Sequence, residues 1–320
     1  MIRAASRGMS SRTSYPLVSV VIPAHNHGRY VAEAIESALD QDYPAIQVIV
    51  IDDGSTDETA DVLKRYSHRI EAVSQANAGQ SATINRAWRQ AGGEILSYLS
   101  ADDRLESNAV STAVAALEAD PEIVMVYGDY NLIDPASARV RRVKAPEFDY
   151  REMVTDLVCA PGPGVFLRRG AVDRAGGWDP KLRQTPDFEY WLRLGLTGRF
   201  QHLPVVLAAL RVHPGSASYA PPDESRAEEP VRIMENYFAR SDLPSVIRSL
   251  QGQALSSAHV VTARFHIRAG RYQAAARHLR SAASLNPRTL LSRRAGRLLV
   301  NACVNRVGHW ILWSLRRSHQ

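Results

Sequence analysis

Two short runs of aliphatic residues constrain the fold of this chain more than any other feature. Residues 17–22 and 46–51 are almost continuously apolar, which is typical of strands that are buried on both faces in a parallel sheet. Between these runs, apolar residues recur at helical spacing and form one stripe: Val31, Ala34, Ile35, Ala38 and Leu39. The segment is therefore predicted to be a β-α-β unit.

The same alternation continues along the chain. Strands are predicted at 70–74 and 95–99, and helices at 80–90 and 107–118. Residues 55–58 (Ser-Thr-Asp-Glu) match a capping box, which predicts a helix that runs to about Tyr66. The expected fold class is α/β with a mostly parallel central sheet.

After residue 127 the pattern is less regular. Proline and glycine concentrate at 161–164 and around Gly176-Gly177, which predicts long loops of the kind that carry function. A helix is expected at 187–196 and a strand at 205–211. Residues 214–230 contain four prolines and four acidic residues, which indicates a surface linker with the domain boundary there or just after it.

Charge is distributed unevenly over the chain. Its 320 residues include 39 basic and 33 acidic ones, for a net charge of +6. From residue 243 onward there are 13 Arg and no Lys, Asp or Glu, so residues 1–242 carry 26 basic and 33 acidic side chains. The division predicts a flexible leader at 1–15, a large α/β domain at 16–218, a linker and first tail segment at 219–242, and a basic all-α helical module at 243–320.

Global features favour a cytoplasmic protein. With 45% hydrophobic residues the chain can bury a core. Cys159 and Cys303 lack metal-site or redox spacing, which favours a reducing compartment. No apolar run reaches 18 residues, and the first 14 residues lack the apolar stretch of a signal peptide.

Polar residues follow three of the predicted strands, at 23–26, 52–55 and 101–103. Ligands of open parallel sheets bind at the carboxyl ends of strands. Two acidic pairs, Asp52-Asp53 and Asp102-Asp103, would meet there and repel each other unless a cation or a donor-rich ligand lay between them. Mg²⁺ or Mn²⁺ with a nucleotide diphosphate suits the arrangement, because carboxylates are hard ligands. The first pair taken alone could equally be a turn with a helix cap.

These segments resemble a known family. The stretches Val21–Asn26, Val50–Asp57 and Leu99–Asp103 are similar, in order and spacing, to motifs of the inverting glycosyltransferases of family two, which have a glycosyltransferase A-type fold. The resemblance covers about residues 16–218. It implies that a catalytic domain transfers a sugar from a nucleotide diphosphate donor to an acceptor hydroxyl with a divalent cation and inversion, in the synthesis of cell-surface polysaccharides or glycoconjugates.

The resemblance also implies roles for single residues on the donor side. Asp53 would accept a hydrogen bond from the nucleobase, with Pro23 and His25 lining the base pocket. Asp103 would be the direct metal ligand, and Asp102 would contact the ribose or the cation's water. The other implied donor-side residues are Asn26, Asn77, Gly79, Gln80 and Asn85. Many members have Ala-Arg where this chain has Thr83-Ile84, so a basic contact to the diphosphate is absent or comes from elsewhere.

An inverting displacement needs a carboxylate base away from the metal. Asp187 stands at the family's catalytic position at a helix start, although the helix dipole alone would also favour Asp there. Glu189 is a competitor, but two residues further it points about 200° away. The resemblance places Gly177 and Trp178 in an acceptor-side loop. Trp191 adds a second platform for the acceptor or belongs to the core.

His213, at the end of a predicted strand, matches a histidine that in many members reaches the diphosphate or metal, and it is assigned as a metal ligand. A lone histidine at a strand end is otherwise a surface or core residue. The partners implied are a nucleotide-sugar donor and a glycan or glycolipid acceptor.

The basic tail allows two interpretations. From residue 293 onward, Leu299, Cys303 and Trp310 share one helix face, and Arg294 and Arg297 share the opposite one. Arg with Trp on such a helix is typical of an in-plane anchor on an anionic membrane, here the inner face. Alternatively the helix packs on its own domain with Arg in water. Nucleic-acid binding is disfavoured, because the arginines are spread over helices with large apolar faces.

Two other functions are alternatives to sugar transfer. A non-catalytic nucleotide-sugar-binding or scaffold protein could act through its helical tail. A dinucleotide-dependent oxidoreductase is disfavoured, because no G-x-G-x-x-G follows the first strand.

Overall fold

The computed structural model describes residues 15–213 and 221–304. Its strands are β1 (Val18–Ala24), β2 (Ile46–Asp53), β3 (Glu71–Gln75), β4 (Ile95–Tyr98), β5 (Arg104–Leu105), β6 (Ile123–Ile133), β7 (Arg139–Val143), β8 (Val165–Arg168) and β9 (Arg199–Arg211).

The helices are α1 (Val31–Leu39), α2 (Thr59–Arg65), α3 (Gln80–Gln90), α4 (Ala109–Ala119), α5 (Tyr150–Asp156), α6 (Arg169–Ala175), α7 (Pro186–Leu194), α8 (Glu224–Ala227), α9 (Glu229–Phe238), α10 (Ser245–Arg248), α11 (Gln251–Arg268), α12 (Tyr272–Leu285) and α13 (Pro287–Leu290). Residues 293–304 are helical as well.

The strands form one mixed sheet with the order β3-β2-β1-β4-β8-β6-β9-β5, and β7 pairs with β6 at the side. The first four neighbours, β3-β2-β1-β4, are parallel. Beyond β4, the pairs β4–β8, β8–β6 and β9–β5 are antiparallel, whereas β6–β9 is parallel. The predicted parallel sheet is thus its amino-terminal half, and the α/β fold class is confirmed.

Period-two alternation explains the continuous apolar runs. In β2, Val48 and Val50 pack into a core on one face of the sheet with α1 and α4, and Ile49 and Ile51 pack into a second core on the other face with α3 and α7. A strand with helices on both faces needs an apolar side chain at every position. The two cores fix the sheet, and with it the position of the loops at its carboxyl edge.

The start of α2 differs from the prediction. The helix begins at Thr59 rather than beside Ser55. Neither Ser55 nor Glu58, the two residues of the expected capping box, caps its amino terminus with a side-chain hydrogen bond. The Ser55 hydroxyl accepts the Asn26 N–H instead. Asp57 takes the capping role, since one carboxylate oxygen accepts from the Thr59 N–H and the other from the Gly28 N–H. The β2–α2 loop is therefore tied to the β1–α1 loop.

The segment predicted as a surface linker is partly helical and packed. Within it, α8 and the first turn of α9 lie at residues 224–230. Val231, Met234 and Tyr237 of α9, with Ala254 of α11, belong to the same core as α7 and β6. The tail helices thus extend the core of the α/β unit, although the boundaries assigned to the domains remain a prediction.

The described part of the last helix packs on its own domain. Ala295 and Ala302 are buried, whereas Cys303 is exposed, so the buried face is not the predicted one. Arg294 is not directed into water, because its Nε donates to the carbonyl of Asp156 at 3.0 Å. In the described ranges no helix is long and apolar enough to cross a membrane. Trp310 and the leader lie outside those ranges.

Candidate active site

A pocket of about 550 Å³ opens at the carboxyl ends of β1, β2 and β4. It brings together most of the residues singled out from the sequence. Those that line it are Pro23, His25, Asp53, Gln80, Asp102, Asp103, Trp178 and Asp187. The carboxyl groups of Asp53, Asp102 and Asp103, which follow strands of the parallel half of the sheet, therefore line the same pocket as the carboxyl group of Asp187 on α7.

Asp53 is held by donors from the loop after β3. Its Oδ1 accepts from Gln75 Nε2 at 2.7 Å and from the Ala78 N–H at 2.8 Å, and its Oδ2 accepts from the Gly79 N–H at 2.7 Å. Burial alone would raise the pKa of Asp53, but these hydrogen bonds outweigh it and lower the pKa. Asp53 is therefore a fixed, ionised acceptor at the wall of the pocket.

Three of the predicted donor residues shape the pocket from behind its lining. Asn26 (φ 55°) accepts the Thr56 N–H at 2.8 Å and joins the loops after β1 and β2. Asn77 Nδ2 lies 3.2 Å from the ring nitrogens of His25. Gly79 has φ +87°, and a Cβ there would lie within 3.0 Å of the Arg183 guanidinium, so a side chain would displace that cation.

The acidic pair sits where β9 ends. Asp103 is 4% exposed, and its Oδ1 accepts the Arg211 N–H at 2.9 Å. Burial, and then the charge of Asp102, raise the pKa of Asp103. His213 Nε2 lies 3.0 Å from Asp102 Oδ2, with His27 Nε2 3.9 Å from the same oxygen. Adjacent hard oxygen ligands with excess negative charge fit a divalent cation.

Arg211 holds the backbone of the Asp102-Asp103 pair from the protein interior. Its side chain is fully buried and lies over the ring of Tyr30, 4.6 Å from the centroid. It donates to the Asp102 carbonyl at 2.8 Å and to Glu33 Oε2 at 2.9 Å. One cation thus fixes the backbone that carries the acidic pair.

Asp187 stands in the first turn of α7, after Pro186 at the first helical position. Burial raises its pKa, while its own N–H and that of Phe188 oppose the rise. Glu189, the competing carboxylate, is bound through both oxygens by Arg193 at 2.6 and 2.7 Å. Arg193 therefore occupies both carboxylate oxygens of Glu189, whereas the carboxyl group of Asp187 lines the pocket.

Trp178 forms one wall of the pocket and is held rigidly. Asn85 on α3 donates to its carbonyl at 2.8 Å and accepts its N–H at 2.7 Å, so Asn85 fixes the loop that carries Trp178. Within the described ranges the buried indole Nε1 has no hydrogen-bond partner. Gly177 supports the loop, since its carbonyl accepts from Arg193 and a Cβ at this position would lie only 2.8 Å from Asn85 Oδ1.

Trp191 is a core residue and not an acceptor platform. It is 1% exposed and packs edge-on to Trp178 and Phe200, with centroids 5.8 and 6.4 Å away. The alternative that placed this tryptophan in the core is the correct one.

The pocket wall also contains residues that sequence reasoning missed, among them Tyr98, Arg183 and Arg226. Arg183 precedes α7, and Arg226 lies on α8 in the segment taken for a linker. Arg183 and Arg226 place basic groups beside the acidic site. The chain has Ile84 where many members of the family have an arginine. The position of Arg183 four residues before Asp187 was a usable signal, but nothing in the sequence places Arg226 here.

Comparisons with known proteins agree with this geometry. A model of glycosyl transferase family 2 matches residues 19–174. An uncharacterized glycosyltransferase of Rickettsia typhi is 32% identical over 213 residues, which cover 64% of this chain and 67% of that protein. The chain belongs to glycosyltransferase family 2.

A chondroitin synthase of Pasteurella multocida is 32% identical over 192 residues, which cover 59% of this chain and 20% of that protein. The chain spans about two thirds of the length of two rickettsial relatives but a fifth of that synthase.

Solved structures share the glycosyltransferase A-type fold. S. aureus TarS in complex with UDP-GlcNAc has a TM-score of 0.66 at 18% identity, over 90% of this chain and 89% of that one. The mannosyltransferase PcManGT from Pyrobaculum calidifontis, in complex with GDP-Man and Mn²⁺, has a TM-score of 0.60 at 18% identity, over 92% and 87%. The chain is thus a glycosyltransferase with a helical carboxyl-terminal region.

Proposed function

We propose that this glycosyltransferase moves a sugar from a nucleotide diphosphate donor to an acceptor hydroxyl with inversion, and that it requires Mg²⁺ or Mn²⁺. The observation that carries the proposal is the placement of Asp53, the Asp102-Asp103 pair and Asp187 on the wall of one pocket. TarS and PcManGT, which share the fold, were solved with UDP-GlcNAc and with GDP-Man and Mn²⁺.

On the donor side, Asp53 accepts a hydrogen bond from the nucleobase, and the exposed ring of His25 stacks on it. The His25 Nδ1 lies 2.9 Å from the Asp53 carbonyl, so the ring is oriented before the donor arrives. Arg183 and Arg226 donate to phosphate oxygens and supply the basic contact absent from position 84. Asp102, Asp103 and His213 would hold the cation, whose chemistry is to stabilise negative charge on the departing diphosphate.

On the acceptor side, Asp187 takes the proton from the attacking hydroxyl. Its raised pKa brings its basicity closer to that of a general base at neutral pH. Trp178 is 2% exposed and stacked on Tyr190 with ring centroids 5.4 Å apart, so it serves as part of the pocket wall on the acceptor side rather than as a platform on which a sugar stacks. The acceptor is a glycan or glycolipid of a cell-surface polysaccharide or glycoconjugate.

The test combines binding and turnover. A thermal-shift screen of UDP- and GDP-sugars with and without Mn²⁺ should find a donor that raises the melting temperature, because it binds only the folded state. With that donor, Asp187→Asn should lower kcat about 10²- to 10⁴-fold without weakening the shift. Asp103→Ala should abolish the part of the shift that depends on Mn²⁺, and Glu189→Gln is the matched control for Asp187.

Two outcomes would contradict the proposal. Transfer that survives both Asp187→Asn and Asp103→Ala would remove the assigned chemistry. Donor binding with no product from any acceptor in a broad panel would favour the non-catalytic sugar-nucleotide-binding alternative.

We also propose that the basic module acts from the cytoplasm at the anionic inner face of a membrane. Support comes from the absence of acidic residues after position 242 and from the exposed Leu291, Val300 and Val304. Each basic residue near such a surface contributes about 1 kcal/mol. Full-length protein should pellet with anionic but not neutral vesicles, and replacing the exposed Arg288, Arg293 and Arg297 by Gln should reduce pelleting. Equal pelleting by the triple variant would refute this role.

A further inference from the structure

A buried carboxylate from the tail helices holds the loop that leads into the acid-base residue. Glu229, the first residue of α9, is 1% exposed. Its Oε1 accepts the Arg183 N–H at 2.7 Å, and its Oε2 accepts the Gln184 and Thr185 N–H groups at 2.7 and 2.9 Å. Three consecutive amides thus point at one side chain, two residues before Asp187.

This arrangement determines where the pocket's groups stand. Arg183, Gln184 and Asp187 all line the pocket, and the loop that carries the first two is otherwise without regular structure. Charge-assisted hydrogen bonds from buried backbone amides are among the stronger contacts a loop can make. The orientation of α7, and with it the Asp187 carboxylate, depends on them.

Glu229 also acts on Asp187 through its charge. The groups that affect the Asp187 carboxyl come from three elements: Cys159 from the loop after α5, with its Sγ 3.9 Å away, Tyr98 from β4, and Glu229 from α9. After burial, which is the main cause, the negative charge of Glu229 contributes to raising the pKa of Asp187.

Glu228, the residue before Glu229, connects the start of α9 to the tail helices. Its Oε1 lies 2.8 Å from His266 Nε2 on α11 and 3.0 Å from His278 Nε2 on α12. Arg271 Nε donates to His266 Nδ1 at 2.8 Å. Because a guanidinium can only donate, the neutral His266 carries its proton on Nε2 and donates it to Glu228.

The three side chains of Glu228, His266 and His278 have the spacing of metal ligands. The Arg271 donor argues for a different use, since a metal on His266 Nε2 would require a proton on Nδ1, where Arg271 already donates. His278 Nδ1 lies 2.9 Å from His259 Nδ1, so one of these two ring nitrogens donates to the other. The cluster is therefore a set of hydrogen bonds that converge on Glu228 and join α11 and α12 to the start of α9.

We propose that Glu229 is a positioning residue for Asp187, and that the tail helices keep it in place through Glu228. The inference rests on the proposed role of Asp187 as the base. It makes the tail part of the catalytic apparatus, although Glu229 lies 55 residues beyond the end of the family match at residue 174.

The test is Glu229→Gln in the full-length chain, with Glu235→Gln on the exposed side of the same helix as the matched control. The glutamine keeps one acceptor oxygen but turns an amide N–H₂ towards backbone donors. We expect kcat to fall about 10- to 100-fold, since small misplacements of catalytic groups have effects of this size. The donor-induced thermal shift should fall much less than kcat, because Asp53 and the Asp102-Asp103 pair belong to other elements and only Arg183 among the proposed donor contacts depends on this loop.

The pH profile separates positioning from a general loss of structure. Loss of the Glu229 charge should lower the pKa of Asp187, so the acidic limb of the kcat profile should move to lower pH. If the folded Glu229→Gln variant has the same kcat and the same acidic limb of the pH profile as the Glu235→Gln control, the inference is overturned. Equal losses of kcat and donor binding would overturn it as well, because they indicate collapse of the whole pocket.

Hydrogen exchange gives a readout that does not require turnover. The amides of 183–185 should exchange faster in Glu229→Asp, whose shorter side chain keeps the charge and the fold but cannot reach all three donors. Unchanged exchange would refute the positioning role. If the wild type transfers no sugar, the proposed function fails while the exchange experiment still tests the loop contact.

Discussion

The pair between Glu33 and the buried Arg211 gives the sharpest prediction for stability. Glu33 Oε2 accepts from Arg211 Nη2 at 2.9 Å and from the Ser137 hydroxyl at 2.7 Å. The change Glu33→Gln keeps the shape of the side chain and removes its charge. Arg211 is fully buried, whereas the Glu33 side chain is 38% exposed, so the charge left behind is the buried one.

The size of the effect follows from what Arg211 retains. Breaking a buried ion pair by removing one partner costs about 3–5 kcal/mol. Here the cost is smaller, because Glu33 is partly solvated and Arg211 still donates to the carbonyls of Asp102 and Asp134 and to the Ser137 hydroxyl. We expect a loss of about 1.5–3 kcal/mol in the free energy of unfolding at pH 7.

Urea denaturation of Glu33→Gln, with the exposed Glu118→Gln as control, measures this loss. Burial opposes ionisation of Glu33, but Ser137 and Arg211 outweigh it and lower the pKa. A carboxyl with a lowered pKa stabilises the fold above its unfolded pKa of about 4.3, and this contribution disappears as the pH falls through the folded value. The difference between wild type and variant should therefore shrink below about pH 4.3. A loss under about 0.5 kcal/mol at pH 7, or one independent of pH, would refute the reasoning.

Three further predictions concern the pocket and its support. Asp53→Asn should cost about 1–3 kcal/mol in urea denaturation and remove the nucleotide-induced thermal shift, because an amide N–H₂ would face buried donors; unchanged stability would contradict this. Tyr150→Phe should destabilise more than Tyr237→Phe, by about 1 kcal/mol, since the Tyr150 hydroxyl bonds both Leu192 and Tyr237; equal losses would count against it. Alkylation of Cys159, 3.9 Å from Asp187, should block transfer, and Cys159→Ser should resist it. Cys159 is exposed, so a reagent can reach it, while desolvation of its sulfur by the surrounding protein and the charge of Asp187 raise the pKa of the thiol; labelling should therefore accelerate as the pH rises, and full transfer after Cys159 is modified would contradict this prediction.

The sequence contained enough information for the amino-terminal half of the fold. The apolar runs at 17–22 and 46–51 identify β1 and β2, because a strand with helices on both faces buries nearly every side chain and these side chains must therefore be apolar. The carboxyl end of β2 then indicates Asp53, and the carboxyl end of β4 indicates Asp102 and Asp103. The helix α3 was also predicted with its observed bounds.

The second half was less predictable, for physical reasons. The strand β6 runs on to Ile133 through polar residues, since its far end pairs with β7 at the exposed side of the sheet. Glu229 and Arg226 join the site from a segment rich in proline and acidic residues. Their roles depend on long-range contacts to residues 40 or more positions away, which local patterns do not encode.

The double hydrogen bond between Asn85 and Trp178 bears on how the specificity of such a pocket can change. Asn85 binds the backbone carbonyl and N–H of Trp178 from α3, which lies 93 residues earlier in the chain, so the loop has little ordering entropy to lose when a ligand enters the pocket. A loop carrying Trp178 that is grafted into another scaffold should keep its conformation only if an asparagine is grafted at the matching position of that scaffold's helix.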